Sequence, residues 1–461
     1  MRYTILPVLL VVLVVALAHG DEFQVNNRTS LSQANADIAA AHKGGFCVVW
    51  SSYFGTAGRS NDILCRIFEP NCAPAGDEFQ VNQTTLGNQT EPSVAVRKAI
   101  GDFVVAWQGP AQTEEDGDDI FAQRIDANGL LLGDEIRINN INFRKDQVCP
   151  QIAANDSGSY VIVWESESSY SEPNTTMICC RRYDPVGNPA GDEFQVNIEP
   201  DCRYPDVAID PEGNFTVVWI QGNRPNFSII ARLYDANGVA MTNPFDVSTI
   251  KITSFSQPVI AMDAAGCFLV TWDGDPNFAR LDDIHCRLYE PNGVSMGDQF
   301  TVNSTTERAQ QNPQAAMNDL GQFVIVWDSE GDPNVSEKDI HGQRFDISGA
   351  RIGSEFRLNS YTDSDQKSPA VAILEGGRFG AVWQSENQDS SSYGIFGETE
   401  EIISAADFNL DGYVNFPDYS ILAAEWHQTA SPLVSNLVDD AAVDNRDLSA
   451  FCQNWLNLSH K

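Results

Sequence analysis

The hydrophobic pattern along this chain repeats. An aromatic residue, a run of apolar positions and a closing tryptophan recur from Phe46 to Trp50, Phe103 to Trp107, Tyr160 to Trp164, Phe215 to Trp219, Phe268 to Trp272, Phe323 to Trp327 and Phe379 to Trp383. The tryptophans are 57, 57, 55, 53, 55 and 56 residues apart, a period that signals propellers, solenoids or repeat arrays. In the second copy Phe103, Val105 and Trp107 fall on one face of a strand, and Val104 and Ala106 on the other. Both faces are apolar and both need cover, which excludes a sheet with one solvated side. Small twisted sheets stacked face to face around an axis meet that requirement.

Each repeat holds four strand-like pieces, which in the second copy run from Ser93 to Val96, Phe103 to Trp107, Ile120 to Ile125 and Glu135 to Asn139. The first opens at a proline (Pro92, Pro150, Pro205, Pro258, Pro313 and Pro369), which suits a strand start because proline has no donor for the ladder. The third and fourth are joined by turns such as Asp126-Ala127-Asn128-Gly129, whose Asn and Gly supply the backbone angles of tight turns. The fourth carries the motif Glu-Phe-x-Val-Asn, at Glu22, Glu78, Glu193 and Glu355, with looser forms at Glu135, Phe245 and Gln299. The chain after residue 20 therefore opens with a fourth strand lacking the first three, and the seventh repeat ends on a third strand, Ile395 to Glu398, lacking its fourth. If the N-terminal strand completes the last sheet, no edge is left unpaired. The expectation is an all-β, seven-bladed β-propeller of four-stranded antiparallel blades over residues 21–400, in preference to a solenoid or a row of sandwiches.

Strand alternation places uniform tight turns on one face of such a ring and the divergent loops after each tryptophan on the other, where recognition is expected. Candidate catalytic carboxylates near the first strands are Asp37, Glu91 and Asp206, read as occupying nonequivalent positions and as better suited to surface or capping roles than to a glycosidase pair. Gln33, Gln89, Gln147, Gln310 and Gln366 recur three residues before the first-strand proline or its Ala36 equivalent, as bracing residues would. The six histidines, His285 and His341 among them, follow no metal-ligand spacing. Two acidic loops, Asp273-Gly274-Asp275-Pro276-Asn277 and Asp328 to Asn334 with Glu330 and Asp332, carry oxygens suited to calcium. Tyr53, Phe54, Tyr170, Phe227, Phe278 and Tyr393 are the loop aromatics available to stack on a glycan.

The net charge of −36 and pI near 4.3 oppose nucleic acid and anionic membranes as partners. Residues 1–20, with Arg2, an apolar run from Val8 to Ala18 and small residues Ala18 and Gly20, read as a secretory signal peptide too short to span a bilayer. No membrane insertion is expected, and the protein is expected outside the cell or at its surface. Ten cysteines fit an oxidising compartment. Cys65, Cys180 and Cys286 stand where other repeats have Ala122, Ala231 and Gly342, so they are small core residues. Cys47–Cys65 and Cys267–Cys286 cannot both be directly opposed pairs, and Cys149 could reach Cys202.

After Glu400 the repeat stops. Asp407, Asn409, Asp411, Asn415 and Asp418 stand at positions 1, 3, 5, 9 and 12 of a loop with Gly412 at 6 and the Tyr413 carbonyl at 7. That is the oxygen set and the bend a Ca²⁺ loop needs. A helix is expected from Asp418 to Trp426, burying Ile421, Leu422 and Trp426. The unit returns 29 residues later, where Asp447-Leu448-Ser449 to Trp455 matches Asp418-Tyr419-Ser420 to Trp426. Residues 405–457 resemble a type I dockerin. The second loop departs from the pattern, with Asn436, Val438 and Asp440 at the first ligand positions and Ala441 for the glycine.

The resemblance implies Ca²⁺ in the first loop and a cohesin-type scaffold domain as partner, often in assemblies that degrade polysaccharide. The family's recognition positions map to Phe416, Pro417, Tyr419, Asn445, Arg446 and Leu448, where its usual small hydroxyl loop residues are absent. The propeller repeats also resemble a repeat of large secreted bacterial proteins, which names no activity. The expected function is a secreted, non-catalytic binding or accessory protein, its propeller taking a polysaccharide or glycoprotein on the long-loop face and residues 401–461 tethering it. The alternatives are a glycoside hydrolase or polysaccharide lyase, and a structural or adhesive surface protein.

Overall fold

The computed structural model describes residues 22–401 apart from 42–43, 57–58, 112–116, 141–145, 168–174, 224–225, 250–251, 253–256, 276–280, 332–336, 375–376 and 391, together with 416–425, 443 and 448. The described residues of the repeat region form seven four-stranded antiparallel sheets. Blade 1 runs from inner to outer strand as Gln33–Ala40, Phe46–Thr56, Arg59–Phe68 and Phe79–Gln80. Blades 2 to 6 repeat the order. Blade 7 consists of Gln366–Leu374, Arg378–Glu386 and Tyr393–Glu401, and its outer strand is Phe23–Gln24, paired Phe23 to Gly397 and Gln24 to Phe396. Each inner strand packs against the next, the blade 7 strand against that of blade 1. The ring closes as the two matching deficits in the sequence predict.

The core lies between the blades. Seven apolar clusters fill the seven interfaces, and all seven strand-closing tryptophans are 0% exposed. The repeated motifs fasten those interfaces. The glutamines brace the tryptophans: the indole N–H of Trp50, Trp107, Trp164, Trp327 and Trp383 donates to Gln33, Gln89, Gln147, Gln310 and Gln366 at 2.7–3.1 Å. Blade 4 has Cys202 at the position of the glutamine.

The Glu-Phe-x-Val-Asn motif explains itself in the same way. Its Asn turns back to the third strand, as Asn82 Oδ1 does in accepting the Ile63 N–H at 2.7 Å. Its Glu reaches the neighbouring blade: Glu78 accepts the N–H of Asn27 at 2.7 Å, Glu135 that of Gln83 at 2.7 Å, Glu193 that of Asn140 at 2.6 Å, and Glu355 that of Ser304 at 2.5 Å. Gln299 does the same for Thr249 at 2.8 Å. Blade 4 has Pro244 there instead. Deeper in the ring, Ala39, Ala95, Ala153, Ala208, Ala261, Ala316 and Ala372 occupy one equivalent inner-strand position. There the strands converge and each methyl packs toward the next blade.

The propeller, Glu22–Ile403, is one compact unit, and residues 404–461 belong to another. There the helix spans Phe416–Glu425, two residues earlier than expected at its start. Leu422 is buried, Ile421 half-buried and Tyr419 exposed. No helix among the described residues is long and apolar enough to cross a membrane.

Candidate functional site: the mouth of the central channel

Six of the seven inner strands are bulged at one place, between Ala34 and Asp37, Thr90 and Ser93, Val148 and Gln151, Arg203 and Asp206, Gln311 and Gln314, and Lys367 and Ala370. Inside each bulge one residue adopts a left-handed backbone: Asn35 (φ 53°), Glu91 (52°), Cys149 (53°), Tyr204 (50°), Asn312 (53°) and Ser368 (52°). Five of these precede proline, a context that disfavours the α regions, and such a conformation costs about 1–3 kcal/mol at each position. Bulges re-aim side chains. Blade 5 is the exception. Its inner strand, Val259–Met262, begins after Pro258 and Gln257 stands in the ring position.

At three of the six bulges, the residue following the tryptophan of the preceding blade holds the strained backbone. Gln108 Oε1 accepts the Cys149 N–H at 2.9 Å, Glu165 Oε2 that of Tyr204 at 3.3 Å, and Asp328 Oδ1 that of Ser368 at 2.8 Å. Asp328 also accepts from Asn312 Nδ2 at 2.8 Å and faces Lys338 Nζ at 3.4 Å. The strained backbone is therefore pinned from a neighbouring blade.

The carboxylates around the lumen differ in enclosure. Asn35 Nδ2 donates to Glu91 Oε1 at 2.9 Å. Glu91 is exposed, and partial desolvation raises its carboxyl, against the Asn35 hydrogen bond. Burial pushes Glu165 up to about 7, partly offset by the Tyr204 N–H. Burial also raises the Cys149 thiol, with the charges of Glu165 and Glu91 adding to it, and raises the Tyr204 phenol. Glu91, Cys149, Glu165 and Tyr204 thus form one acceptor-rich sector. Across the ring, Lys338 Nζ donates to Gln311 Oε1 at 3.0 Å, and Lys367 Nζ donates to the Tyr393 hydroxyl at 2.8 Å and lies 4.1 Å from its ring centroid.

Asp37 and Asp206 prove equivalent, contrary to the sequence reading, since each lies opposite the residue before its blade's tryptophan, Val49 and Val218. Both cap backbone: Asp37 Oδ2 accepts the Val94 N–H at 2.8 Å and Asp206 Oδ2 that of Ile260 at 2.9 Å, each in the next inner strand. Burial pushes Asp37 up to about 6 and Asp206 to about 7. The Asp37 charge adds a smaller share to the Asp206 shift.

Other expectations resolve unevenly. His285 meets the Gly274 carbonyl at 3.3 Å and His341 the Glu355 carboxylate at 3.0 Å. Among the described residues no group of three His, Cys, Asp or Glu is arranged to hold a metal; Asn277, Asp332 and Asn334 lie outside them. Phe227 is buried at 3% exposure and bridges to Ile252, so it offers no platform. Phe54 lies under the Arg28 guanidinium at 4.0 Å, Tyr53 is exposed, and Tyr170 and Phe278 lie outside the described residues. Sequence reading missed Tyr204, whose backbone lies in the bulge and whose partly buried ring packs against the blade 4–5 core, and Glu165, which accepts its N–H.

Cys149 faces the mouth while Cys202 Sγ donates to the Glu199 carbonyl at 3.2 Å, and the two are not bridged. Of the calcium and partner positions, Asp407, Asn409, Asp411, Tyr413, Asn415, Asn445 and Arg446 lie outside the described residues. Phe416, Pro417 and Asp418 fall in the first turn of the helix, and Leu448 is half-buried.

No protein-family model and no curated protein matches the chain. Solved structures do. A Dyadobacter fermentans protein of unknown function aligns over 83% of this chain and 98% of its own at 9% identity and a TM-score of 0.50. An α-L-arabinanase from Penicillium chrysogenum, complexed with arabinobiose, aligns over 68% and 92% at 11% identity with a TM-score of 0.47. The β-propeller domain of the Trilobed protease from Pyrococcus furiosus aligns over 80% and 95% at 10% identity with a TM-score of 0.46. At these identities the likenesses carry nothing about function, and the blade order of the sheets shows that this chain is a seven-bladed β-propeller.

Proposed function

We propose that the protein is a secreted binding protein whose propeller takes a neutral saccharide at the channel mouth, and whose C-terminal region is a calcium-dependent, dockerin-like tether to a cohesin-type domain. The observation that supports the site is the bulge ring. Its backbone is the same in six blades while its side chains differ in kind: Asn35, Glu91, Cys149, Tyr204, Asn312 and Ser368. A scaffold repeats and recognition diverges. Amides, a hydroxyl and carboxylates pair with sugar hydroxyls, and Tyr204 supplies a face for the apolar side of a sugar ring. The charge of −36 disfavours polyanionic ligands. The tether rests on the spacing of Asp407, Asn409, Asp411, Tyr413, Asn415 and Asp418, with Phe416, Pro417, Tyr419, Asn445, Arg446 and Leu448 as its contact residues.

The test is a glycan array probed with the full chain, paired with calorimetric Ca²⁺ titration of the wild type and of an Asp407→Ala, Asp411→Ala variant. The proposal expects saccharide binding independent of calcium, and ion uptake lost in the variant together with cohesin binding. A flat array removes the saccharide reading; unchanged uptake in the variant removes the tether.

A hydrolytic reading is favoured by one observation, the pair of enclosed lumenal acids Asp37 and Asp206 held at raised pKa. Their oxygens already accept backbone N–H groups, which is why binding is preferred. Turnover of an array hit that disappears in Asp206→Asn would reverse the preference.

A further inference from the structure

Blade 1 is set apart by the pair of residues at two positions of its core. The third-strand residue opposite the one before the tryptophan is Cys65, and the second-strand residue opposite the waist alanine is Cys47. The corresponding pairs elsewhere are Ala122 with Val104, Cys180 with Val161, Ala231 with Thr216, Cys286 with Leu269, Gly342 with Val324 and Gly397 with Gly380. Only blade 1 carries cysteine at both. The two sit on a cross-strand diagonal, since Cys65 is opposite Val49 and Cys47 opposite Ile67. Their Sγ atoms are 3.2 Å apart, closer than the about 3.5–4.0 Å at which even smaller non-bonded carbon atoms rest. Both are 0% exposed, in the apolar cluster shared with Val94, Phe103 and Trp107.

We propose that Cys47 and Cys65 form a disulfide across the second and third strands of blade 1. Each thiol loses its hydrogen and one S–S bond forms. The two electrons and two protons pass to a disulfide oxidant, such as glutathione disulfide or an oxidoreductase of that chemistry, which is reduced to two thiols. Small side-chain rotations close the gap to the about 2.05 Å of a bond. Formation precedes burial, and the finished core then shields the bond from reductants. The other described cysteines have no such partner: Cys202 and Cys72 bond to oxygen, and Cys180 and Cys286 face Val163 and Thr271.

The full chain refolded in mixed oxidised and reduced glutathione, then denatured with an alkylating agent and no reductant, tests this. Lys43, Arg59 and Arg66 let trypsin place the two cysteines on separate peptides. The expected result is one linked peptide pair lacking two hydrogens, separated by reductant and absent from Cys65→Ala, a variant that copies Ala122 and Ala231. Wild type unfolded, reduced and refolded under reductant should melt at the value for Cys65→Ala, below wild type refolded in the glutathione mixture, while the variant melts alike either way. Recovery of both cysteines fully alkylated without reduction, or equal melting of wild type refolded with and without reductant, overturns the proposal.

Discussion

The Glu22 carboxylate accepts hydrogen bonds from the backbone N–H and the hydroxyl of Ser360 at 2.7 and 2.6 Å, across 338 residues of sequence. A second oxygen accepts from Gln388 Nε2 at 2.6 Å. It is the same latch that Glu78, Glu135, Glu193 and Glu355 make, but here the strand carrying it comes from the other end of the chain. The outer strand of blade 7, like those of blades 1 to 5, ladders only two residues, but it is not covalently continuous with its third strand, so closure depends on this contact more than in the other blades.

Glu22→Ala is expected to cost about 1 kcal/mol, the net worth of a hydrogen bond whose exposed donors turn to water, and more than Glu135→Ala, whose blade stays continuous. Urea unfolding of both variants, with limited proteolysis near residue 22, checks the order. Equal losses would mean that the closing strand is held elsewhere.

Blade 4 offers the reverse experiment. Trp219 is fully buried with no oxygen acceptor on its indole N–H among the described residues, and Cys202 stands where five other repeats place glutamine. Cys202→Gln should stabilise by about 1 kcal/mol, the worth of a new hydrogen bond, whereas Gln147→Ala should destabilise by about 1–3 kcal/mol through an orphaned N–H. Denaturation midpoints of the two variants decide it, and a loss in both would show that blade 4 is packed around the smaller side chain.

The Glu165 carboxyl binds its proton more tightly folded than unfolded, since burial raises it from 4.5 to about 7. Between those values the native state holds more protons than the unfolded state, so this contribution to stability is fully present below about 4.5 and is lost as pH rises toward 7. Glu165→Gln keeps an acceptor for the Tyr204 N–H, as Gln108 does for Cys149. The variant should gain stability over wild type by at most about 3 kcal/mol at neutral pH, and the gain should shrink to nothing near pH 4. Melts of the unliganded proteins from pH 4 to 8 measure it; a gain independent of pH would assign the effect to packing.

The alanine waist makes a steric claim. Ala208 packs with Ile260 of the next inner strand, and Ala208→Leu should overpack that interface at a cost of about 1–3 kcal/mol. Leu130→Ala, on the tight-turn face and 65% exposed, should change stability little. Similar losses at both positions would contradict the convergence of the inner strands.

The sequence carried the ring because its devices are chemical repeats. The tryptophan, the bracing glutamine and the latching glutamate each recur with the blade, and the unmatched strand at Glu22 showed how the ring closes. The bulges were not legible. Their left-handed residues include glutamate, cysteine and tyrosine, and five of the six precede proline, so local preference argued against the conformation that Gln108, Glu165 or Asp328 of the preceding blade holds. The equivalence of Asp37 and Asp206 was legible, each one residue after Ala36 or Pro205, but both were grouped with Glu91, which stands one residue before Pro92. Glu165 was read as the start of a variable loop, and only the fold brings it to Tyr204.

The central claim is that the mouth of the channel binds a saccharide. Titration calorimetry of the best array ligand into wild type, Tyr204→Ala and Leu130→Ala, the last on the opposite face, tests it most directly. The account expects affinity to fall at least tenfold, about 1.4 kcal/mol, in Tyr204→Ala and to stay at the wild-type value in Leu130→Ala. Unchanged affinity in Tyr204→Ala, with the fold intact, would contradict it and move the ligand away from the bulge ring.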